Sequence, residues 1–161
     1  MNIQSLQRLI SGPVVQLLLW IIMIQFLGML ASSLSAPGPW YVQINKSRFT
    51  PSDWVFPVAW TTIYTCIAIF GWSIYHHYDA PYTLKNAFFM HMLLNYTWPI
   101  IFFSAHLISL ALLSICLMIL LIIYMIIYSF QHGIHTWILL VPCLLWLFFA
   151  CYLTGYILSA N

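Results

Sequence analysis

The sequence contains no aspartate, glutamate, lysine or arginine after Lys85, through to Asn161. A soluble domain carries about 25% charged residues, so this half of the chain is predicted to lie in lipid. In hydrocarbon, every backbone N–H and C=O must be paired within the protein, which only helices and closed barrels achieve. Barrel strands alternate apolar and polar residues, and the run from Leu110 to Ile127 does not. The chain is therefore predicted to be an all-α integral membrane protein.

The composition of the whole chain supports this prediction, since 64% of residues are hydrophobic and 4% are charged. A net charge of +2 without a basic cluster argues against nucleic acid as a partner. A membrane-spanning helix needs about 20 mostly apolar residues. Five segments meet this length. They predict one five-helix bundle over residues 1–161, with a long lid loop at 35–54 and helices at about 14–34, 55–75, 82–104, 107–129 and 136–159.

The ionisable residues do not form a recognisable catalytic or metal-binding set. The two acids of the chain lie in or beside loops, so no Ser-His-acid or Cys-His-acid triad can be assembled. A metal site needs three or four ligands with supporting hydrogen bonds. His76 and His77 are adjacent, and His132 and His135 have no Cys, Asp or Glu beside them. The sequence therefore predicts neither a metal site nor a required cofactor.

A stripe of polar and aromatic residues runs along the third predicted helix. His91, Asn95, Trp98 and Phe102 are spaced by four, three and four residues, which places them on one helix face. Polar groups within a span are costly and usually face the interior of a bundle. Asn95 can serve an interhelical hydrogen bond, worth roughly 0.6 kcal/mol in membranes, or a ligand. The residues alone leave both readings open.

Three tryptophans, Trp60, Trp98 and Trp146, lie within the second, third and fifth predicted spans. Tryptophan in membrane proteins is usually found at the membrane interface, so these positions are candidates to line a cavity. Large flat rings suit a flat apolar ligand through stacking and buried area. Packing against neighbouring helices is the alternative for each ring taken alone.

Three blocks of residues then point to a family. The first contains Trp40-Tyr41, Lys46, Thr50-Pro51, Trp54 to Val58 and Trp60 to Tyr64. The second contains Asn95, Trp98-Pro99 and Phe102-Phe103, and the third contains Pro142, Trp146, Ala150 and Leu153. In this order, and over almost the whole chain, the blocks resemble the TspO/MBR family. This family comprises the tryptophan-rich sensory proteins of bacteria and the translocator protein of mitochondria.

The resemblance implies a five-helix bundle that binds porphyrins and similar flat apolar ligands, such as protoporphyrin or a haem-like molecule. It implies a pocket lined by Trp60, Tyr64, Asn95, Trp98, Phe102, Trp146, Ala150 and Leu153. It also implies a lid formed or anchored by Trp40, Tyr41, Pro51 and Trp54. The expected location is an integral membrane position, with a bacterial inner membrane favoured over a mitochondrial outer membrane.

The leading functional hypothesis is a membrane receptor or carrier for tetrapyrroles, without enzymatic activity. One alternative is degradation of porphyrin under light and oxygen, for which Trp60 and Trp146 are the candidate residues. A second alternative is a transporter or a regulatory partner protein. The lipid bilayer and the small apolar ligand are the expected partners.

The chain departs from the family pattern at several positions. Tyr156 is not followed by a basic residue, so the weak cholesterol-recognition pattern is absent and sterol binding is not supported. Asn86, Met90 and Leu93 stand where some relatives carry small residues, which argues against a homodimer through that face. Cys143 replaces the tyrosine that follows the proline of the fifth helix. A homodimer formed in another way stays open.

Overall fold

The computed structural model describes residues 12–76 and 79–161, and within these ranges it contains helices and no strand. The predicted all-α class is therefore confirmed. His77 and the first eleven residues of the predicted domain lie outside the described ranges. The α-helices are α1 (Pro13–Ser33), α2 (Pro39–Gln43), α3 (Val55–His76), α4 (Tyr82–Pro99), α5 (Ile108–Gln131) and α6 (Val141–Ala160). A π-helical turn, Ile100–Ser104, continues α4, and a 3-10 helix, His135–Leu140, leads into α6.

Among the described residues, four helical segments are long and apolar enough to cross a membrane: α1, α3, α5 and the continuous segment His135–Ala160. The third predicted span, 82–104, is helical throughout but is not one of the four. The reason is its composition, because Lys85, Asn86, His91 and Asn95 lower its mean hydropathy. The membrane character is confirmed, and the count of five spans is not.

Prolines mark the places where helices begin or change type. Pro13 and Pro142 occupy the first turns of α1 and α6, where a missing N–H costs no hydrogen bond. Pro99 ends the regular part of α4. The next turn is wider, and the N–H of Ala105 donates to the C=O of Ile100 at 2.9 Å. This π-helical turn changes the direction of the side chains that follow Pro99.

The long helices pack in a ring in the order α6, α5, α4, α1 and α3, and α3 meets α6 along a shorter interface than α6 shares with α5. Polar side chains connect neighbours in this ring. Gln25 Nε2 of α1 donates to the C=O of Thr61 at 2.8 Å and to Thr65 Oγ1 at 3.0 Å. The Tyr96 hydroxyl of α4 donates to the C=O of Ile24 at 3.1 Å. These bonds join α1 to both α3 and α4.

The apolar core fills the half of the ring that is remote from the lid loop. Most of its fully buried side chains come from α3, α4 and α5, and include Ile67, Phe70, Ile74, Leu84, Ile115, Met118, Ile122 and Met125. The other half is not filled in this way, and the candidate site lies there.

Candidate functional site

A cavity of about 590 Å³ lies between α1, α3, α4 and α6, beneath the lid loop. Its volume falls within the ~300–1,000 Å³ of typical small-molecule sites. The predicted residues that line it are Tyr41, Trp60, Tyr64, Asn95, Trp98, Phe102, Trp146, Ala150 and Leu153. The structure thus brings residues from the lid loop and from three separate helices to one space.

Three of the predicted residues, Trp40, Pro51 and Trp54, do not line this cavity. Trp40 packs on the outer side, where its ring stacks on His106 with centroids 4.1 Å apart. Trp54 is 68% exposed, and Pro51 lies in the irregular part of the lid loop. Their direct contact with a ligand remains a prediction, and the structure gives Trp40 the position of an anchor for the lid.

The cavity walls are aromatic rings held in place by other rings. The Trp60 ring lies 5.3 Å from that of Tyr64 and 6.4 Å from that of Trp146, the latter nearly perpendicular at 77°. Across the cavity, Trp98 and Phe102 stack with centroids 5.0 Å apart and planes 11° apart. Edge-to-face and offset-stacked pairs are the favoured arrangements of aromatic rings. The walls are therefore flat, apolar and mutually supported.

Asn95 supplies a polar group deep in this apolar space. The side chain is 2% exposed, and its Nδ2 donates to the C=O of His91 at 2.9 Å. Its Oδ1 is buried and has no hydrogen-bond partner among the described residues. Leaving a buried acceptor unpaired costs about 1–3 kcal/mol. An N–H or O–H donor on a bound molecule would recover that free energy.

His91, predicted to share the Asn95 face, is fully buried and lies behind Asn95 instead of lining the cavity. Its Nδ1 is 3.1 Å from Asn95 Nδ2, and its Nε2 is 4.0 Å from Cys143 Sγ. His91 therefore holds the Nδ2 atom of Asn95, and the Oδ1 atom points away from His91.

The lid loop adds charge to the rim of the cavity through Lys46 and Asp53. Lys46 Nζ donates to the C=O of Tyr41 at 2.9 Å and lies 4.4 Å from the centre of the Tyr41 ring. Burial, and secondarily the negative charge of Asp53, raises the pKa of the Tyr41 hydroxyl above its ordinary value. The rim thus combines a cation, an anion and a neutral phenol.

The middle of the lid loop is held against the C-terminal end of α6 by hydrogen bonds. The N–H of Asn45 donates to Asn161 Oδ1 at 2.8 Å, and Asn161 Nδ2 donates to the C=O of Asn45 at 3.1 Å. The Ser47 and Tyr152 hydroxyls are 2.9 Å apart. Together with the Trp40 stack, these bonds tie the first part and the middle of the loop to the bundle.

Other cavity residues were not predicted. Phe149, Thr154 and Ile157 continue the α6 stripe of Trp146, Ala150 and Leu153 at helical spacing, and that periodicity could have identified them. Ser32 at the end of α1 and Ser35 just after it carried no such signal, because apolar residues occur on every face of α1. The remaining unpredicted lining residues are Pro37, Val42, Lys46, Thr50, Asp53, Phe56, Pro57, Pro99 and Phe103.

Comparison with known proteins gives consistent matches. The pattern of the TspO/MBR family matches residues 7–159. A protein named tryptophan-rich protein TspO from Archaeoglobus fulgidus is 33% identical over 114 residues, which cover 69% of this chain and 72% of that protein. A tryptophan-rich sensory protein from Cereibacter sphaeroides is 30% identical over 115 residues, covering 71% and 72%. A tryptophan-rich protein TspO from Bacillus cereus is 28% identical over 124 residues, covering 76% and 80%.

Proposed function

The chain belongs to the TspO/MBR family, and from that premise we propose that it is a membrane receptor or carrier for tetrapyrroles. The observation that carries the proposal is the 590 Å³ cavity, whose lining combines aromatic walls with Asn95, a residue whose buried Oδ1 is unpaired. A flat macrocycle fits between such walls. Its carboxylates would face Lys46 at the rim, and a donor group would face Asn95.

Burial of apolar surface supplies enough free energy for this binding. At about 25 cal/mol per Å², covering roughly 500 Å² of apolar area gives about 12 kcal/mol before any cost. Loss of translational and rotational freedom consumes several kcal/mol or more of this. Micromolar affinity requires about 8 kcal/mol. Aromatic burial therefore provides most of the affinity without metal ligation, and the polar groups provide orientation.

The proposal includes a fifth membrane span formed by α4 and the π-helical turn. The polar residues His91 and Asn95 are buried inside the ring, whereas Phe89, Met90 and Leu93 are 58%, 47% and 47% exposed. The face that meets lipid is thus apolar although the helix as a whole is not. By analogy with its bacterial relatives, we assign the protein to a bacterial inner membrane.

The test is a titration of purified protein with protoporphyrin, followed by the porphyrin absorption band and by calorimetry. We expect a Trp60→Ala/Trp146→Ala double variant to lose at least tenfold in affinity. Trp137→Ala is the matched control. Trp137 lies on the 3-10 helix, packs against Phe130 of α5 and does not line the cavity. Equal affinity in the double variant and the control would refute the assignment of the pocket.

A second candidate function is degradation of the bound porphyrin by light and molecular oxygen. The observation that favours it is the position of two oxidisable indoles, Trp60 and Trp146, on the cavity wall with centroids 6.4 Å apart. Illumination of the complex in air, with chromatography of the products, tests this. A discrete product that forms with the protein and not with the Trp60→Phe/Trp146→Phe variant would support degradation. Loss of porphyrin at the protein-free rate would exclude it.

A further inference from the structure

A groove on the outside of the bundle lies against the wall of the cavity. It occupies about 420 Å³ between α3 and α6, where the ring of helices has one of its shorter interfaces. α3 contributes Ala59, Thr62 and Ile63, and α6 contributes Pro142, Leu145, Trp146 and Phe149. Leu145 is 64% exposed, so the groove faces the outside of the ring, where the membrane-crossing segments meet lipid.

Apart from the indole N–H of Trp146, the lining of this groove offers no free side-chain polar group. The Thr62 hydroxyl donates to the C=O of Val58, one turn earlier on the same helix, at 3.0 Å. Pro142 has no backbone N–H. The other lining side chains are hydrocarbon or aromatic. The groove therefore accommodates molecules dissolved in the hydrocarbon region of the bilayer.

Two side chains, Trp146 and Phe149, line both the groove and the cavity. Their rings meet at 62° with centroids 5.7 Å apart. Both rings are only partly buried, and the Trp146 indole makes no hydrogen bond with the described residues. Rotation of these two side chains connects the two spaces, since they form the wall that the spaces share. Partly exposed side chains change rotamer in nanoseconds or less.

The lid loop presents a larger barrier on the other side of the cavity. Opening it would break the amide pair between Asn45 and Asn161, the bond between Ser47 and Tyr152, and the stack of Trp40 on His106. Rotation of Trp146 breaks ring contacts and apolar packing, but no hydrogen bond with the described residues. A ligand that partitions into lipid would also have to leave the bilayer in order to enter through the lid.

We propose that the groove between α3 and α6 is the entry site for an apolar ligand dissolved in the bilayer, and that Trp146 and Phe149 are its gate. This inference rests on the proposed function, because the ligand that docks in the groove is the tetrapyrrole that the cavity binds. The lid loop then seals the aqueous side and contributes polar contacts, while exchange occurs through lipid.

The test measures exchange rates in vesicles preloaded with protoporphyrin, by stopped-flow quenching of tryptophan fluorescence. Thr62→Trp fills the groove without touching the cavity. We expect the association and dissociation rates to fall by the same factor, tenfold or more, with Kd unchanged within twofold. Leu120→Trp, which adds an indole at a 63% exposed position of α5, is the matched control and is expected to keep both rates.

A second variant keeps the test decisive if Thr62→Trp does not fold. Leu145→Ala widens the groove at an exposed position and is expected to raise both rates equally. Unchanged rates in both groove variants, with faster exchange in Asn45→Ala, would overturn the inference and assign entry to the lid. Retention of one lipid by the wild type and its loss from Thr62→Trp, at unchanged rates, would make the groove a lipid site instead. Absence of equilibrium binding in the wild type would remove the proposed function itself.

Discussion

Two regions of the bundle contain the same aromatic residue types, but the rings pack together in one region and surround a cavity in the other. At the end remote from the lid loop, Trp20, Phe70, Tyr75 and Phe88 pack against one another, and Phe70 and Phe88 are buried. Ring centroids there are 5.6 Å apart for Trp20 and Tyr75, and 6.3 Å apart for Phe70 and Phe88. Gly71 makes this packing possible, since a Cβ at that position would overlap the Phe88 ring.

At the lid end, rings at similar separations enclose a cavity instead. Trp60, Tyr64 and Trp146 contact each other along one wall, yet about 590 Å³ stays open in front of them. Glycines and lysines do not distinguish the two regions, since Gly71 and Lys85 lie beside the remote rings as Gly28 and Lys46 lie beside the lid-end rings. The buried Asn95 amide lines the cavity. Aromatic content alone therefore does not identify a binding site, because the enclosed space depends on how the helices meet.

The largest expected effect is a loss of stability, caused by a substitution in the remote region, without a loss of ligand binding. Gly71→Ala places a Cβ 2.6 Å from Phe88 Cε2, so we expect the free energy of unfolding to fall by about 1–3 kcal/mol. Thermal unfolding in detergent measures this. Gly155→Ala on α6 is the control, because nothing lies within 4 Å of its Cβ, and it should be neutral or slightly stabilising. If Gly71→Ala weakens protoporphyrin binding by the folded protein more than twofold, the two regions are not independent.

The next effect concerns the polar group of the cavity. Asn95→Leu removes the unpaired acceptor, and we expect protoporphyrin affinity to fall by about ten- to a hundredfold, corresponding to roughly 1–3 kcal/mol. Thr97→Val, on the same helix, should have no effect, since its exposed hydroxyl donates to the C=O of Leu93 at 2.9 Å. Calorimetry measures both affinities. Equal affinity in Asn95→Leu and wild type would mean that the amide does not meet the ligand.

A smaller effect is expected at the rim. Lys46→Gln should lower affinity for the free acid of protoporphyrin by up to about fivefold, because an exposed ion pair is worth roughly 1 kcal/mol or less. The dimethyl ester should bind both proteins equally, and added salt should reduce the difference. Arg48→Gln is the control, since Arg48 carries the same charge but does not line the cavity. An equal loss for acid and ester would contradict a charge interaction.

The smallest effect is a shift in the titration of Tyr41. Its pKa is raised by burial and then by Asp53, so the stability that this group contributes is complete below the ordinary tyrosine pKa and is lost as the pH rises above it. Ultraviolet titration between about pH 9 and 12, with Tyr41→Phe as the reference, isolates this phenol. Asp53→Asn should lower its pKa part of the way, and Asp79→Asn should not change it. A Tyr41 that titrates at the ordinary value would mean that the lid loop is open in solution.

The helices were predictable in their positions because hydrophobic runs and prolines are local signals. The predicted segments at 14–34, 55–75 and 107–129 differ from α1, α3 and α5 by two residues or fewer at each end. The segment at 82–104 is helical over that whole range, but its change from α- to π-helix at Ile100 was not foreseen. Hydrogen bonds of that turn depend on Pro99 and on the helices packed against it, and periodicity does not report them.

Two properties follow from the residues alone: the chain lies in lipid, since no charged residue follows Lys85, and Asn95, Trp98 and Phe102 share a helix face. Which aromatic rings enclose a cavity and which pack in the core depends on how the helices are arranged in three dimensions. A helical repeat specifies the face on which a side chain lies, but not what stands opposite it. The cavity arises from rings on separate helices that meet without closing, and the direction of the Asn95 amide is set by His91 behind it.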